Sequence, residues 1–270
     1  YRKIVQRRRI QGMILFVFEG EKREPELFRA IEKLFFKGSQ HIVCSFGNNI
    51  YELYQRLKNL DDSGDIVSVL REKYDGRTDS PFSGDAKSSD FSEIYLVFDY
   101  DFHNRNILLE EMNLQISEML DMFDNETENG KLYINYPMVE AIRYTKHLPD
   151  SMFYTYIVSR QQCRDISFKN MADGFSDYKS LDFLTLNTRR DATENEICSR
   201  TENWDHIKTQ NVVKANFLCT GILTNPKNKD VVSQKAIFRA QLQKYVLPKE
   251  SVSVLSAFPL FLYEYFPDRK

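Results

Sequence analysis

The chain of 270 residues is 42% hydrophobic and 28% charged, with a formal net charge of −2. That is enough apolar material for one large domain or two small ones, and too little positive charge for a globally basic nucleic-acid binder. No apolar run approaches the roughly 20 residues that cross a membrane and no secretory signal pattern opens the chain, so a soluble cytoplasmic protein with no membrane attachment is expected.

The chain begins at Tyr1 without methionine, as would a chain lacking a short N-terminal piece. Arg2, Lys3, Arg7, Arg8 and Arg9 make a local basic patch, readable as phosphate contact or as a solvated lead-in. Residues 12–18 then predict a strand that ends abruptly on Glu19 and Gly20. Pro25 suits the first turn of a helix whose apolar stripe is Leu27, Phe28, Ile31, Leu34 and Phe35, ending near Gly38. Residues 41–46 predict a strand and residues 50–60 and 66–74 predict helices, while 75–92, rich in Gly, Ser and Asp, reads as a surface insertion.

Residues 94–98 form the near-continuous apolar run of a buried parallel strand and end on Asp99 and Asp101. A long helix follows, with Leu109, Met112, Ile116, Met119, Leu120 and Phe123 on one face. Beyond the acidic turn at 124–130 come a strand at 131–134 and a helix opened by Asn135, Tyr136 and Pro137. Strands alternating with helices predict an α/β fold: a Rossmann-like, mainly parallel sheet flanked by helices, with right-handed crossovers.

Past Leu148 the alternation stops. Residues 152–158 are aromatic and β-branched, 161–191 look irregular, and 203–223 and 229–245 read as helical. Residues 252–265 read as a docked terminal helix interrupted at Pro259, apolar enough to leave surface for a partner. The expected division is therefore an α/β domain over 1–148 and a mostly helical region over 149–270. There is no internal repeat, and the oligomeric state, a homo-oligomer included, stays open.

The chemistry lies in the strand ends. In an open parallel sheet, ligands gather where the chain leaves the carboxyl edges, and Glu19, Asp99 and Asp101 all fall there. Side chains at i and i+2 share a side of a strand, so Asp99 and Asp101 face one site if strand geometry persists through Tyr100. Glu24 stands at the mouth of the first helix and Glu140 in the first turn of the helix after Pro137, on a face shared with Arg143 and His147. Carboxylates gathered in this way repel and recruit a cation, and an all-oxygen set without Cys or paired His suits Mg²⁺ or Mn²⁺ rather than zinc. Cys44, Cys163, Cys198 and Cys219 are far apart and form no CxxC pair, which leaves buried thiols. Each acid also has a structural reading, as a helix-start anion or a chance DxD. His103 reads as a ligand of water or phosphate or as an exposed loop residue, and Tyr100 and Tyr136 as base-stacking platforms or as core. The GxGxxG and GxxxxGK[ST] nucleotide signatures are absent.

In FVFEGEKREPELF, IYLVFDYDFHN and LYINYPMVEAI the chain resembles the Toprim (topoisomerase-primase) fold, whose pattern is a glutamate after the first strand and a DxD after a later one. It is most similar to the overcoming-lysogenization-defect and RloB-like branch, over about residues 12–147, with Arg23 where that branch usually has threonine. The resemblance implies metal ligation by Glu19, Asp99 and Asp101, completed by Glu24 and Glu140. It further implies a Mg²⁺-dependent nuclease acting on DNA or RNA, tRNA included, as the toxic effector of an antiphage abortive-infection system. Because the chain carries no ATPase signature, the resemblance implies a separate ABC-type or SMC-like ATPase partner. Arg143 or Lys146 is then expected to offset leaving-group charge. The rivals are a non-catalytic Toprim-like regulatory module of an ATPase complex and a primase-like nucleotidyl transferase; strand passage through a covalent tyrosine is disfavoured for want of a DNA-gate domain.

Overall fold

Alternation along the strands sets the architecture. In β1 (Met13–Phe18), Leu15 and Val17 go to one side and Phe16 and Phe18 to the other; in β3 (Glu93–Asp99), Ile94, Leu96 and Phe98 oppose Tyr95 and Val97. Both faces are apolar, as a strand covered by helices on both sides requires. The computed structural model describes residues 12–36, 40–60, 65–82, 85–187 and 190–266, so the basic patch of Arg2, Lys3, Arg7, Arg8 and Arg9 lies outside the described residues.

The sheet order is β2-β1-β3-β5-β4, with β2 at Gln40–Ser45, β4 at Asp124–Asn125 and β5 at Gly130–Asn135. All pairings are parallel except the short β4–β5 pair. The aromatic face, built on Phe16, Phe18, Tyr95 and Tyr133, packs against α1 (Arg23–Phe35) and the C-terminal segment. The aliphatic face packs against α2 (Ile50–Lys58), α3 (Ile66–Tyr74) and α4 (Leu109–Met122). The α/β expectation, with its mainly parallel sheet and helical C-terminal region, therefore holds, and among the described residues no helix is long and apolar enough to cross a membrane.

Several elements differ from the reading above. Pro137 is followed by only a short 3₁₀ turn, Val139–Arg143, in which four of the five residues are buried; packing on every side, rather than helix propensity, sets its form. His147 consequently lies beyond the turn that carries Glu140, whereas Arg143, three residues on, keeps Glu140's face in 3₁₀ geometry and lines a small pocket with it. The aromatic and β-branched segment ends in β6 (Ile157–Ser159), and two short helices, α5 (Arg160–Asp165) and α6 (Phe168–Phe175), occupy the start of the stretch 161–191 expected to be irregular. A longer helix, α7 (Glu194–Thr220), starts nine residues before the predicted 203, behind a Thr193/Glu196 capping box. Next, α8 (Gln234–Gln241) runs through a π turn into α9 (Leu247–Lys249).

The segment expected as one interrupted helix is instead β7 (Ser251–Ser253), paired antiparallel with β6, and then α10 (Ala257–Tyr265). Pro259 sits in the first turn of α10, where its missing N–H has no intrahelical acceptor to lose, so it starts the helix rather than breaking it. Residues 251–262 are all buried, so the apolar surface expected for a partner is turned inward. Phe258 and Phe261 stack into the aromatic face beside Phe16, Phe18 and Tyr95, and both core clusters contain residues from either side of position 148.

Candidate metal centre

The chain leaves β1, runs through α1 to β2 at the sheet edge, and returns to β3 on the other side of β1. The carboxyl ends of β1 and β3 therefore flank the point where the winding reverses, which opens a crevice between them. Glu19 follows β1 and Asp99 ends β3. Their positions are locked by the ladder itself: Glu19 N donates to Val97 O at 3.1 Å, and Asp99 N donates to Glu19 Oε2 at 2.9 Å.

Asp101 joins them by a different route from the one its spacing predicted. The strand stops at Asp99, and Asp101 occupies the left-handed region with φ +51°, a conformation aspartate tolerates better than most residues. Its N–H donates to Pro137 O at 3.2 Å, and its carbonyl accepts from Asn104 N at 2.8 Å, so the carboxylate is aimed by a turn and not by strand alternation. One ligand oxygen from each of Glu19, Asp99 and Asp101 then lies within 4.8 Å of the others. At that separation two unit charges repel by about 3–4 kcal/mol at an effective dielectric near 20.

Glu24 and Glu140 stand in the same electrostatic cluster. Glu24 folds back from the first turn of α1 to accept from Gly20 N at 3.1 Å and is buried. Burial first, and then the charges of Asp99, Asp101 and Glu24, holds the Glu19 carboxyl well above the usual carboxylate range. Asp99 is raised strongly by burial and by Glu24, Asp101 and Glu140, with the Asn135 amide acting against them. Glu24 is raised by burial and by Glu140, and Asp101 by burial, which the nearby His103 counters. Glu140 Oε2 is buried with no hydrogen-bond partner. Among the described residues no Lys or Arg forms an ion pair with any of the five; only the exposed His103 approaches, 3.7 Å from Asp101 Oδ1.

Glu19, Asp99 and Asp101 are thus within reach of one ion, and Glu19, Glu24 and Asp101 line an open cleft of about 640 Å³ with Lys22, Gly47 and Asn49, whereas Glu140 lines a separate small pocket with Arg23 and Arg143 and acts on Asp99 and Glu24 as a neighbouring charge. The two basic residues expected to serve the reaction are engaged elsewhere. Arg143 is buried and donates to Asp173 Oδ1 at 2.6 Å and to Tyr178 O at 3.3 Å. Lys146 Nζ donates to Phe175 O at 2.8 Å and lies over the Phe175 ring. Neither has a hydrogen bond or ion pair to the carboxylates. Tyr100 and Tyr136 are fully buried, Tyr100 donating to Asn113 Oδ1, so the core reading holds for both and neither can stack on a base.

Two residues of the site escaped the sequence reading. Asn135, at the end of β5 and in register with Asp99, donates from Nδ2 to Asp99 Oδ1 at 3.0 Å; its own Oδ1 accepts from Ala257 N at 2.8 Å and Ser256 Oγ at 3.3 Å. It couples the start of α10 to the buried carboxylate, and the strand-end rule, extended from acids to amides, finds it. Asn135→Ala is expected to cost about 1–3 kcal/mol in denaturant unfolding, because the Ala257 N–H is left buried and unpaired. A variant with wild-type stability would show that this link carries no load.

Gly20 is the other. A Cβ there would meet Glu24 Oε2 at 2.7 Å, so a larger residue displaces the carboxylate from the loop. Gly20→Ala is expected to weaken Mn²⁺ binding, read by calorimetry, by about 10- to 100-fold, as for other groups that orient metal ligands. Unchanged affinity would remove Glu24 from the metal set.

No family model, curated protein or solved structure matches the chain.

Proposed function

We propose that this chain is a Mg²⁺- or Mn²⁺-dependent nuclease on a Toprim-like fold, cleaving phosphodiester bonds of DNA or RNA in the cytoplasm. The observation that carries the reading is the cluster of Glu19, Asp99 and Asp101 at the topological switch point, with the charges of Glu24 and Glu140 beside it and, among the described residues, no Lys or Arg paired to any of the five. Such a cluster is costly to fold empty, and its donors are all hard oxygens, which fit Mg²⁺ or Mn²⁺. Glu19, Asp99 and Asp101 would hold the ion. When bound, it supplies polarisation of a phosphoryl oxygen and a water acidified for attack.

The remaining roles belong to side chains. Asn135 fixes Asp99, the Gly20 N–H fixes Glu24, and Glu140, with Oε2 buried and unpartnered, adds its charge to Asp99 and Glu24 and with Glu24 would complete the metal set. The resemblance in the three motifs supports the antiphage role, as the toxic effector of a system that includes a separate ABC-type or SMC-like ATPase.

The reading is tested with the purified chain, labelled DNA and tRNA, and a calorimetric titration with Mn²⁺. Expected are saturable Mn²⁺ binding and metal-dependent cleavage of at least one polymer. Primer extension with nucleoside triphosphates in place of cleavage would reassign the site to nucleotidyl transfer. Binding of Mn²⁺ with neither reaction would reduce the chain to a regulatory module.

A further inference from the structure

Three arginines gather around the turn that follows Asp101. Arg160 and Arg164 stand at i and i+4 on α5, and both donate through Nη2 to one acceptor, Asn104 O, at 3.0 and 2.8 Å. Arg105 Nη2 donates to the Arg164 carbonyl at 3.1 Å. The same Asn104 donates its N–H to Asp101 O, so the cluster sits one turn of chain from a carboxylate of the metal centre.

Among the described residues none of the three arginines has an ion-pair partner. The nearest acid in sequence, Asp165, accepts twice from Gln161 Nε2 instead, at 2.9 and 2.8 Å. Arg160 is buried and also holds Phe102 O at 3.2 Å; its pKa is lowered by burial and by the charge of Arg164, against which the charge of Glu250 acts. Arg164 is half-buried with Nε enclosed and unpaired, and Arg105 is exposed. One carbonyl dipole does not cancel two full charges, and like charges held together favour an anion between or beside them. Arg105, exposed beside the half-buried Arg164, keeps N–H groups suited to a phosphate.

We infer that Arg105 and Arg164 hold a backbone phosphate of a polynucleotide, next to the phosphate that reaches Glu19, Asp99 and Asp101. The substrate is then a chain of nucleotides rather than a single one, and α5 serves as the wall along which it leaves the site. This rests on the nuclease reading and adds its polymer-binding surface. The arginines follow the acids directly in sequence, through 101–105, and the Asn104 N–H to Asp101 O bond ties the two groups together.

The test is fluorescence anisotropy of labelled DNA and RNA oligonucleotides of one sequence with the full chain, in Ca²⁺, across about 50 to about 200 mM salt. Arg105→Gln is expected to reduce the slope of log affinity against log salt by about 1, and the Arg105→Gln/Arg164→Gln pair by about 2, on DNA, RNA or both. Mn²⁺ affinity, read by calorimetry, stays at the wild-type value, which separates phosphate contact from a distorted Asp101 turn. If Arg164→Gln fails to fold by circular dichroism, the exposed Arg105 decides alone. A wild-type slope for Arg105→Gln, in a protein whose parent binds and cleaves the oligonucleotide, overturns the inference and leaves the nuclease reading standing. A parent chain that binds neither DNA nor RNA overturns both.

Discussion

Asp99→Asn and Glu19→Gln are each expected to lower metal-dependent cleavage by roughly three orders of magnitude, because losing a charged ligand removes several kcal/mol of charge stabilisation from the transition state. The same substitutions are expected to raise the melting temperature of the metal-free protein. Asp99 is buried and faces Glu24, Asp101 and Glu140, so a neutral amide there relieves repulsion that, among the described residues, no Lys or Arg ion pair offsets. Asn at 99 keeps an oxygen for the Asn135 amide, and the backbone link from position 99 to Glu19 Oε2 is untouched by the change. Opposite signs for activity and stability mark a site selected for a ligand against the interest of the fold. The two measurements are cleavage of labelled DNA and tRNA, and thermal unfolding in EDTA. Wild-type cleavage by both variants would end the metal assignment; lower melting temperatures would instead make the two acids structural.

What the sequence disclosed follows from how local each cause is. The strands β1, β3 and β5 are apolar on both faces, so their runs are visible without any partner, and the acids that end β1 and β3 stand out against them. Glu19, Asp99 and Asp101 were therefore readable as a group, although the reason given for Asp101 was wrong: a left-handed turn aims it, and no i, i+2 rule describes that. The start of α7 was also local, since Thr193 and Glu196 form a capping box that the apolar periodicity, weak in that helix, hid.

The remainder depends on contacts distant in sequence. Asn135 acquires its role only when Ala257 and Ser256 arrive from the far end of the chain. The β6–β7 pair joins residues almost a hundred positions apart, and neither strand exceeds three residues, too short for an alternating pattern to register. Arg143 looked available because it follows Glu140 by three residues, and Asp173, which engages it, lies on a helix that composition did not reveal. In the same way the apolar stretch 251–262 read as surplus, because nothing in it announces the aromatic face of the sheet that it covers.

The second large effect is a reversal of pH dependence by metal. Glu19, Glu24, Asp99 and Asp101 all have folded-state pKa values raised above their ordinary ones, by burial first and by one another second for Glu19 and Asp99. A carboxyl whose pKa is raised on folding stabilises the fold fully below its unfolded pKa, and that stability is lost as pH rises through the folded value. The metal-free protein is therefore expected to lose stability between about pH 5 and pH 8, the range that begins just above ordinary carboxyl values. Asp65, Asp79, Glu118, Asp150 and Glu196 have lowered values, so their contributions fade only at more acidic pH and are constant across this range. Buried Lys214, lowered well below the usual lysine range, opposes the trend, since its neutral form is favoured as pH rises. Comparison with Asp99→Asn cancels it, because Lys214 is the same in both proteins. Mg²⁺ or Mn²⁺ requires the ionised carboxylates, so the stabilisation it brings grows as pH rises over the same range. At a free concentration one hundred times its dissociation constant the ion adds about 2.7 kcal/mol, or roughly 5–10 °C in a chain of this size. The measurement is melting temperature against pH with EDTA and with saturating Mn²⁺, for the wild type and Asp99→Asn. Falling and rising curves that diverge toward pH 8 in the wild type, and run together in the variant, are the expected result. Parallel wild-type curves would mean that these carboxylates ionise without a cation, and the metal centre would have to be abandoned.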